Sequence, residues 1–160
     1  MSARETRYWI VVMDKLHADA AVAGGYVEVN HGKPGPVERM SEGDGIACYS
    51  PRHDAPDGEP LQAFTALGRV DGAPVAQSPD AHQPFRRRVA WVPVRCAPIR
   101  PLLPTLDFIR NKSHWGAAFR FGYVRVPPED FARIAAALTD APAGTPRGRP
   151  AGADAGAGAP

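Results

Sequence analysis

Apolar residues fall along this chain in short runs separated by glycine, proline and acidic turns, a punctuation that predicts a strand-rich domain rather than a helical bundle. Residues 8–13 (YWIVVM) form a continuous β-branched and aromatic run, long enough for a buried central strand and too short for a helix. Asp14 then stands where a helix N-cap belongs, before a short helix over residues 16–23 that Gly24 and Gly25 bring to an end. Residues 26–30 (YVEVN) alternate as a half-buried strand does.

Residues 31–36 (HGKPGP) cannot pair regularly, because proline lacks an amide donor and glycine weakens a strand interior, so they are expected to be a shaped loop. Residues 37–40 suit a short strand or turn, residues 42–44 a turn, and residues 46–49 (IACY) another strand, followed by a polar loop over residues 50–60. Residues 61–70 predict a long strand in which Gly68 marks a bulge or a close backbone approach. After a loop over residues 71–84, residues 85–94 (FRRRVAWVPV) suit a strand near a sheet edge, interrupted at Pro93. Residues 98–109 carry too many prolines for one long helix and suit one or two short helical turns. Residues 123–126 predict a final strand. Pro127 and Pro128 then open an amphipathic helix, with Glu129 and Asp130 in its positively polarised first turn and Phe131, Ile134, Ala135 and Leu138 on one face. About six strands, two or three short helices, no internal repeat and no alternating β-α order indicate an α+β fold built on a small mixed β barrel.

Composition changes this picture at one end. Of 160 residues, 16 are glycine and 18 proline, and residues 141–160 consist mostly of alanine, glycine and proline. The expected organisation is one domain over residues 1–140 and a disordered tail over residues 141–160. Cys48 and Cys96 lie far apart without a CxxC pattern, which gives no support to a zinc site or a disulfide framework. The N-terminal apolar run is too short for a signal sequence or a membrane span, so a cytoplasmic protein with no membrane partner is expected. The net charge of +2 conceals an asymmetry: residues 1–85 carry seven lysines and arginines against twelve carboxylates, whereas residues 86–133 carry ten against three. A basic stretch of that kind can attract a nucleic-acid backbone, or can be spread over several faces of a folded domain.

The chain has no GxSxG, HExxH, Walker or GxGxxG pattern, and its five histidines lie scattered without the pairing a metal site requires. Catalysis through Cys48 or Asp44 is the weakest of the functional readings. What the sequence offers instead is aromatic residues interleaved with polar and cationic ones: Trp9; Asn30, His31 and Lys33; Tyr49 and Ser50; Trp115, Phe119, Arg120 and Phe121. Flat aromatic faces beside hydrogen-bonding side chains are what a pocket for a planar base needs. Trp9 and Phe121, in or next to strands, suit the core, and Trp115, read as a loop residue, suits a pocket wall.

Several ordered stretches together resemble the bacterial EVE domain, a member of the PUA-like superfamily related to the YTH readers of methylated adenine. They include Tyr8-Trp9-Ile10-Val11-Val12, Gly24-Gly25, His31-Gly32-Lys33, Tyr49-Ser50-Pro51, residues 60–68 and Pro84-Phe85-Arg86-Arg87. Ile99-Arg100-Pro101-Leu102-Leu103, Phe108-Ile109-Arg110 and residues 115–122 continue the likeness, which spans residues 7–138. The resemblance implies a PUA-like pseudo-barrel whose concave pocket accepts a flipped, modified base of DNA or RNA, with no catalysis, no cofactor and no metal. The family often has a small hydroxyl residue at the end of the first strand, where this chain has Met13 and Asp14. By position, the base pocket is expected from His31, Lys33, Tyr49, Ser50, Trp115 and Arg120, with Asn30, Trp9 and Phe119 behind them. In this reading Trp115 and Tyr49 stack on the base, Asn30, His31 and Ser50 read its edge, and Lys33, Arg86, Arg87 and Arg120 hold phosphates. The alternative is a module for a small planar metabolite or a free nucleobase.

Overall fold

The computed structural model describes residues 5–30, 33–54, 58–72, 76–77 and 85–139. In chain order these form β1 (Tyr8–Val12), α1 (Lys15–Gly24), β2 (Tyr26–Val27), α2 (Pro34–Glu38), β3 (Gly45–Arg52), β4 (Pro60–Val70), β5 (Ala76–Gln77), β6 (Phe85–Val92) and β7 (Ala97–Pro98). Two 3-10 segments, Arg100–Thr105 and Lys112–Phe119, precede β8 (Tyr123–Val126) and α3 (Pro128–Leu138).

The main sheet runs β2-β6-β4-β3-β1-β8, with β5 added to β6 and β7 to β4. All pairs are antiparallel except β1 with β3, where Tyr8 to Val12 lie in register with Gly45 to Tyr49. The expected mixed β pseudo-barrel of about six strands with few short helices is therefore the observed fold. Its two ends meet across a seam: Asn30, just beyond β2, donates from Nδ2 to the carbonyl of Phe121, just before β8, at 3.0 Å.

Strand alternation divides the core. Ile10, Ala47, Tyr49 and Phe64 face a layer closed by α3 and the 3-10 segments, where Ile99, Leu106, Ile109, Ile134 and Leu138 are buried. Trp9, Val11 and Ile46 face the opposite side with Val27, Val29, Val37, Met40 and Val70. Burying each such side chain stabilises the fold by roughly 1.5–3 kcal/mol. The helix expected after Pro127 is present, and of its apolar face Phe131, Ile134 and Leu138 are buried. The helix expected after Asp14 is present as well: the Asp14 carboxylate accepts from the His17 amide at 2.8 Å, and Gly25 closes the helix in the left-handed conformation. Gly68 sits at a close approach, since a Cβ there would lie 2.7 Å from the Ala90 carbonyl, and the irregularities of the β3–β4 ladder fall instead between Cys48 and Tyr49 and between Ser50 and Arg52.

Four local expectations need correction. Residues 34–38 are helical rather than loop or strand, because Pro34 occupies the first helical position, where its missing amide costs no bond and its φ is already set. The strand read over residues 26–30 pairs only through Tyr26 and Val27, and Asn30 turns away with φ 52°. β6, by contrast, lies beside the terminal strand β2 and stops at Val92, before Pro93, as expected of a strand near a sheet edge. Trp115 lies within a 3-10 segment, and Phe121, expected in the core, is exposed.

Candidate functional site

A cavity of about 250 Å³ opens where β1 passes into α1, between that corner and β2. Val12, Met13 and Ala21 supply its apolar surface, and Asp14, His17, Glu28 and Asn30 its polar groups, with the ring of Tyr26 as its aromatic member. Local structure accounts for each position. Asp14 caps α1 and holds the His17 ring, whose Nδ1 lies 2.9 and 2.8 Å from the two carboxylate oxygens. Tyr26, Glu28 and Asn30 are two residues apart, so alternation along YVEVN turns all three toward the same side. Arg86, two residues from the Tyr26 partner Arg88, shares that side, donates from Nε to Glu28 and lies with its guanidinium 3.9 Å from the Tyr26 ring centroid.

The wall is rich in acceptors. Asp14 and Glu28 contribute carboxylates, and Asn30 contributes its side-chain amide, whose nitrogen is engaged with Phe121. Arg86, a cation beside these groups, is paired with Glu28. Such a lining suits a planar ligand that presents N–H donors and disfavours a phosphate.

The residues expected from the sequence are distributed differently. Tyr49 is 3% exposed and stacks on Phe119 at 4.5 Å, with Phe64 and Trp115 edge-on to it, so these aromatics form one interior cluster beneath α3 and the 3-10 segments. Burial raises the Tyr49 hydroxyl to about 12. Ser50 is fully buried and hydrogen-bonds Thr65 at 2.7 Å. Trp9 is buried and donates from Nε1 to Asp44 at 3.0 Å, on the other side of the sheet from Tyr49. Trp115 is half-buried, with the Arg100 guanidinium 5.5 Å from its ring. None of these side chains lines the cavity; of the expected set, Asn30 does. Trp9 and Ser50 spend their polar groups on internal hydrogen bonds, and Tyr49 and Phe119 pack their rings on each other.

The expected phosphate-binding residues also separate. Arg86 and Arg87 project to opposite faces of β6, Arg86 to the cavity side and Arg87 toward the core that holds Val27 and Val89. Lys33 is exposed at the start of α2, and Arg120 is exposed beside Phe121, its guanidinium 4.8 Å from that ring. His31 lies outside the described residues.

Sequence reasoning did not single out Asp14, His17, Tyr26 and Glu28 for the pocket, although two signals were available. One is the alternation of YVEVN, and the other is the departure from the family pattern at Met13 and Asp14, both of which line the cavity. Among the described residues no group of three or more His, Cys, Asp or Glu side chains could hold a metal ion, and no helix is long and apolar enough to cross a membrane. Cys48 is buried beside Ala18 and Ala66, and desolvation pushes its thiol up to about 12, so it is a protonated core group at neutral pH.

The EVE domain profile matches residues 7–137. A UPF0310 protein of Mycobacterium avium is 45% identical over 136 residues, covering 83% of this chain and 98% of the relative. The UPF0310 protein YdcG of Bacillus subtilis is 35% identical over 136 residues, covering 83% and 92% respectively. Among solved structures, an NMR structure of a Rhodopseudomonas palustris protein is similar with a TM-score of 0.51 at 14% identity, covering 81% of this chain and 90% of its own. A hypothetical protein from Leishmania major is similar with a TM-score of 0.50 at 13% identity, covering 82% of this chain and 93% of its own.

Proposed function

The chain belongs to the EVE domain family, and on that premise we propose that it is a non-enzymatic nucleic-acid reader whose base pocket is the cavity between β1, α1 and β2. The observation that carries this reading is the match of size and polarity. A cavity of about 250 Å³ is smaller than the roughly 300–1,000 Å³ typical of drug-sized ligands, and its acceptor-rich wall complements the amino group of cytosine, adenine or guanine. Val12, Met13 and Ala21 offer apolar surface to a methyl or similar group on the base. Met13 is well suited to that contact because its thioether is polarizable and packs against ring edges.

Equilibrium binding of labelled single-stranded oligonucleotides tests the proposal. The panel carries one central cytosine, 5-methylcytosine, adenine, N6-methyladenine, guanine or thymine, or an abasic site. An amino-bearing base, methylated or not, is expected to bind more tightly than thymine and the abasic strand. Asp14→Asn and Glu28→Gln are each expected to reduce that preference about tenfold, the scale of a hydrogen bond to a charged acceptor. Equal affinity for the abasic strand and all the others overturns the reading. The alternative, a free nucleobase or planar metabolite, is favoured by the lack of an unpaired lysine or arginine among the described residues of the cavity wall. It predicts a nearly salt-independent affinity for nucleobases that matches or exceeds the affinity for strands, whereas strand binding weakens as salt rises.

A further inference from the structure

Leu16, Val22, Val92 and Phe121 are the exposed large apolar side chains among the described residues, and Phe121 is the one aromatic and the most exposed, at 66%. Its position is fixed from both sides of the cavity. Asn30 and Val12 both line that cavity. Asn30 Nδ2 donates to the Phe121 carbonyl at 3.0 Å, and the Val12 amide donates to the Gly122 carbonyl at 2.9 Å. Gly122 has φ 86°, and a Cβ there would collide with the Asn30 side-chain oxygen. A further bond from the Gly122 amide to the Phe119 carbonyl, at 3.1 Å, ties the turn to a buried ring. The exposed phenyl ring is therefore carried on a turn whose backbone is hydrogen-bonded at the pocket's edge, and the exposed Arg120 guanidinium lies 4.8 Å from its centroid.

We propose that Phe121 is a stacking platform for the nucleotide next to the pocketed base, and that Arg120 binds the phosphate joining the two. This rests on the assignment of the cavity as a base pocket and adds the reason a strand, rather than a free base, is the ligand. An exposed aromatic face beside a cation is the combination that single-strand binders use, and stacking tolerates any neighbouring base. A lone ring with a charged neighbour is too small and too polar at its rim to serve as a protein-docking patch.

The test is a double cycle on the single strand of the panel that binds most tightly, compared with the same strand made abasic at the position before or after the central base. Phe121→Ala is expected to weaken binding of the intact strand by about ten- to a hundredfold, the range of one base–aromatic stack, and Phe121→Trp to preserve it. On the strand lacking the stacked neighbour, the wild type is expected to be weakened to the level of Phe121→Ala, and Phe121→Ala to cost nothing further. Arg120→Gln is expected to lower the salt dependence by about one phosphate contact. An unchanged affinity for Phe121→Ala on the intact strand overturns the proposal, as does an equal loss on all three strands. Failure of the pocket assignment is read separately, from a central abasic site that leaves wild-type affinity intact.

Discussion

Asp130 illustrates how far a residue's role can lie from the local signal that announces it. In the sequence it is an acidic residue in the first turn of a helix, where a negative charge suits the polarised amides. In the fold it is fully buried and accepts from the backbone amides of Asp107 and Phe108 at 3.0 and 2.7 Å and from Arg133 at 3.0 Å, pinning the loop after the first 3-10 segment onto α3. Replacing it with alanine would strand two amides. At 1–3 kcal/mol for each unsatisfied group, Asp130→Ala is expected to lower stability by roughly 2–5 kcal/mol, with Asp130→Asn losing less because one acceptor remains. Urea denaturation of the two variants checks the order. The aromatic residues show the converse limit. Phe119 and Phe121 are chemically identical and two positions apart, yet one is 6% exposed and stacked on Tyr49 while the other is 66% exposed. Nothing in their local pattern separates a ring that packs from one that is offered to solvent, because the difference arises from the end of a 3-10 segment and a left-handed glycine.

Elements bounded by strong local chemistry were legible, and those defined by tertiary pairing were not. α1 and α3 were readable because an Asp14 cap, a left-handed Gly25, a starting proline and a 3.6-residue apolar period each act within a few residues. α2 is hidden because proline and glycine signal both turns and helix starts, and β2 is shorter than its pattern because alternation persists to Asn30 although hydrogen bonding to β6 stops at Val27. β3 is visible as a strand, but the burial of Tyr49 and Ser50 within it is not, and the depth of β3 has a measurable consequence. Burial raises Cys48 from 9.0 and Tyr49 from 10.0, each to about 12. Across this range the native state holds protons that the unfolded chain has released, so stability must fall as pH rises. The loss is expected to begin as pH passes 9, through Cys48, and to steepen above 10 as Tyr49 joins. Each group contributes on the order of 1.4 kcal/mol per pH unit, until the native groups themselves ionise near 12. Thermal melts between neutral and alkaline pH check this, and Cys48→Ala is expected to flatten the first part of the decline.

At the scale of the molecule, the fold offsets part of the charge that the sequence concentrates. The basic stretch over residues 86–133 is partly neutralised within the fold: Arg86 pairs with Glu28, Arg88 with Asp71 and Arg133 with Asp130, and Lys112 donates to the Leu106 carbonyl. The sheet curls until Asn30 meets Phe121, and this long-range closure, invisible to any local pattern, creates the edge at which the cavity and the exposed ring adjoin. The other closure of the fold lies at its C-terminal helix. Leu138 is fully buried, its carbonyl accepts from the Arg95 amide at 3.0 Å, and Thr139 returns its hydroxyl to Ala135 at 2.8 Å. The apolar layer under α3 is thus sealed before residue 140. Residues 141–160 lie outside the described residues and supply mainly alanine, glycine and proline, none of which brings a large apolar side chain. If the folding unit ends at α3, deleting residues 141–160 should change stability by no more than about 0.5 kcal/mol, the range of surface changes that touch no core contact. Strand affinity should be unchanged at physiological salt. Calorimetry and oligonucleotide binding on the truncated chain check both, and a drop in melting temperature comparable to that of Asp130→Ala would place part of the core's closure beyond Leu138.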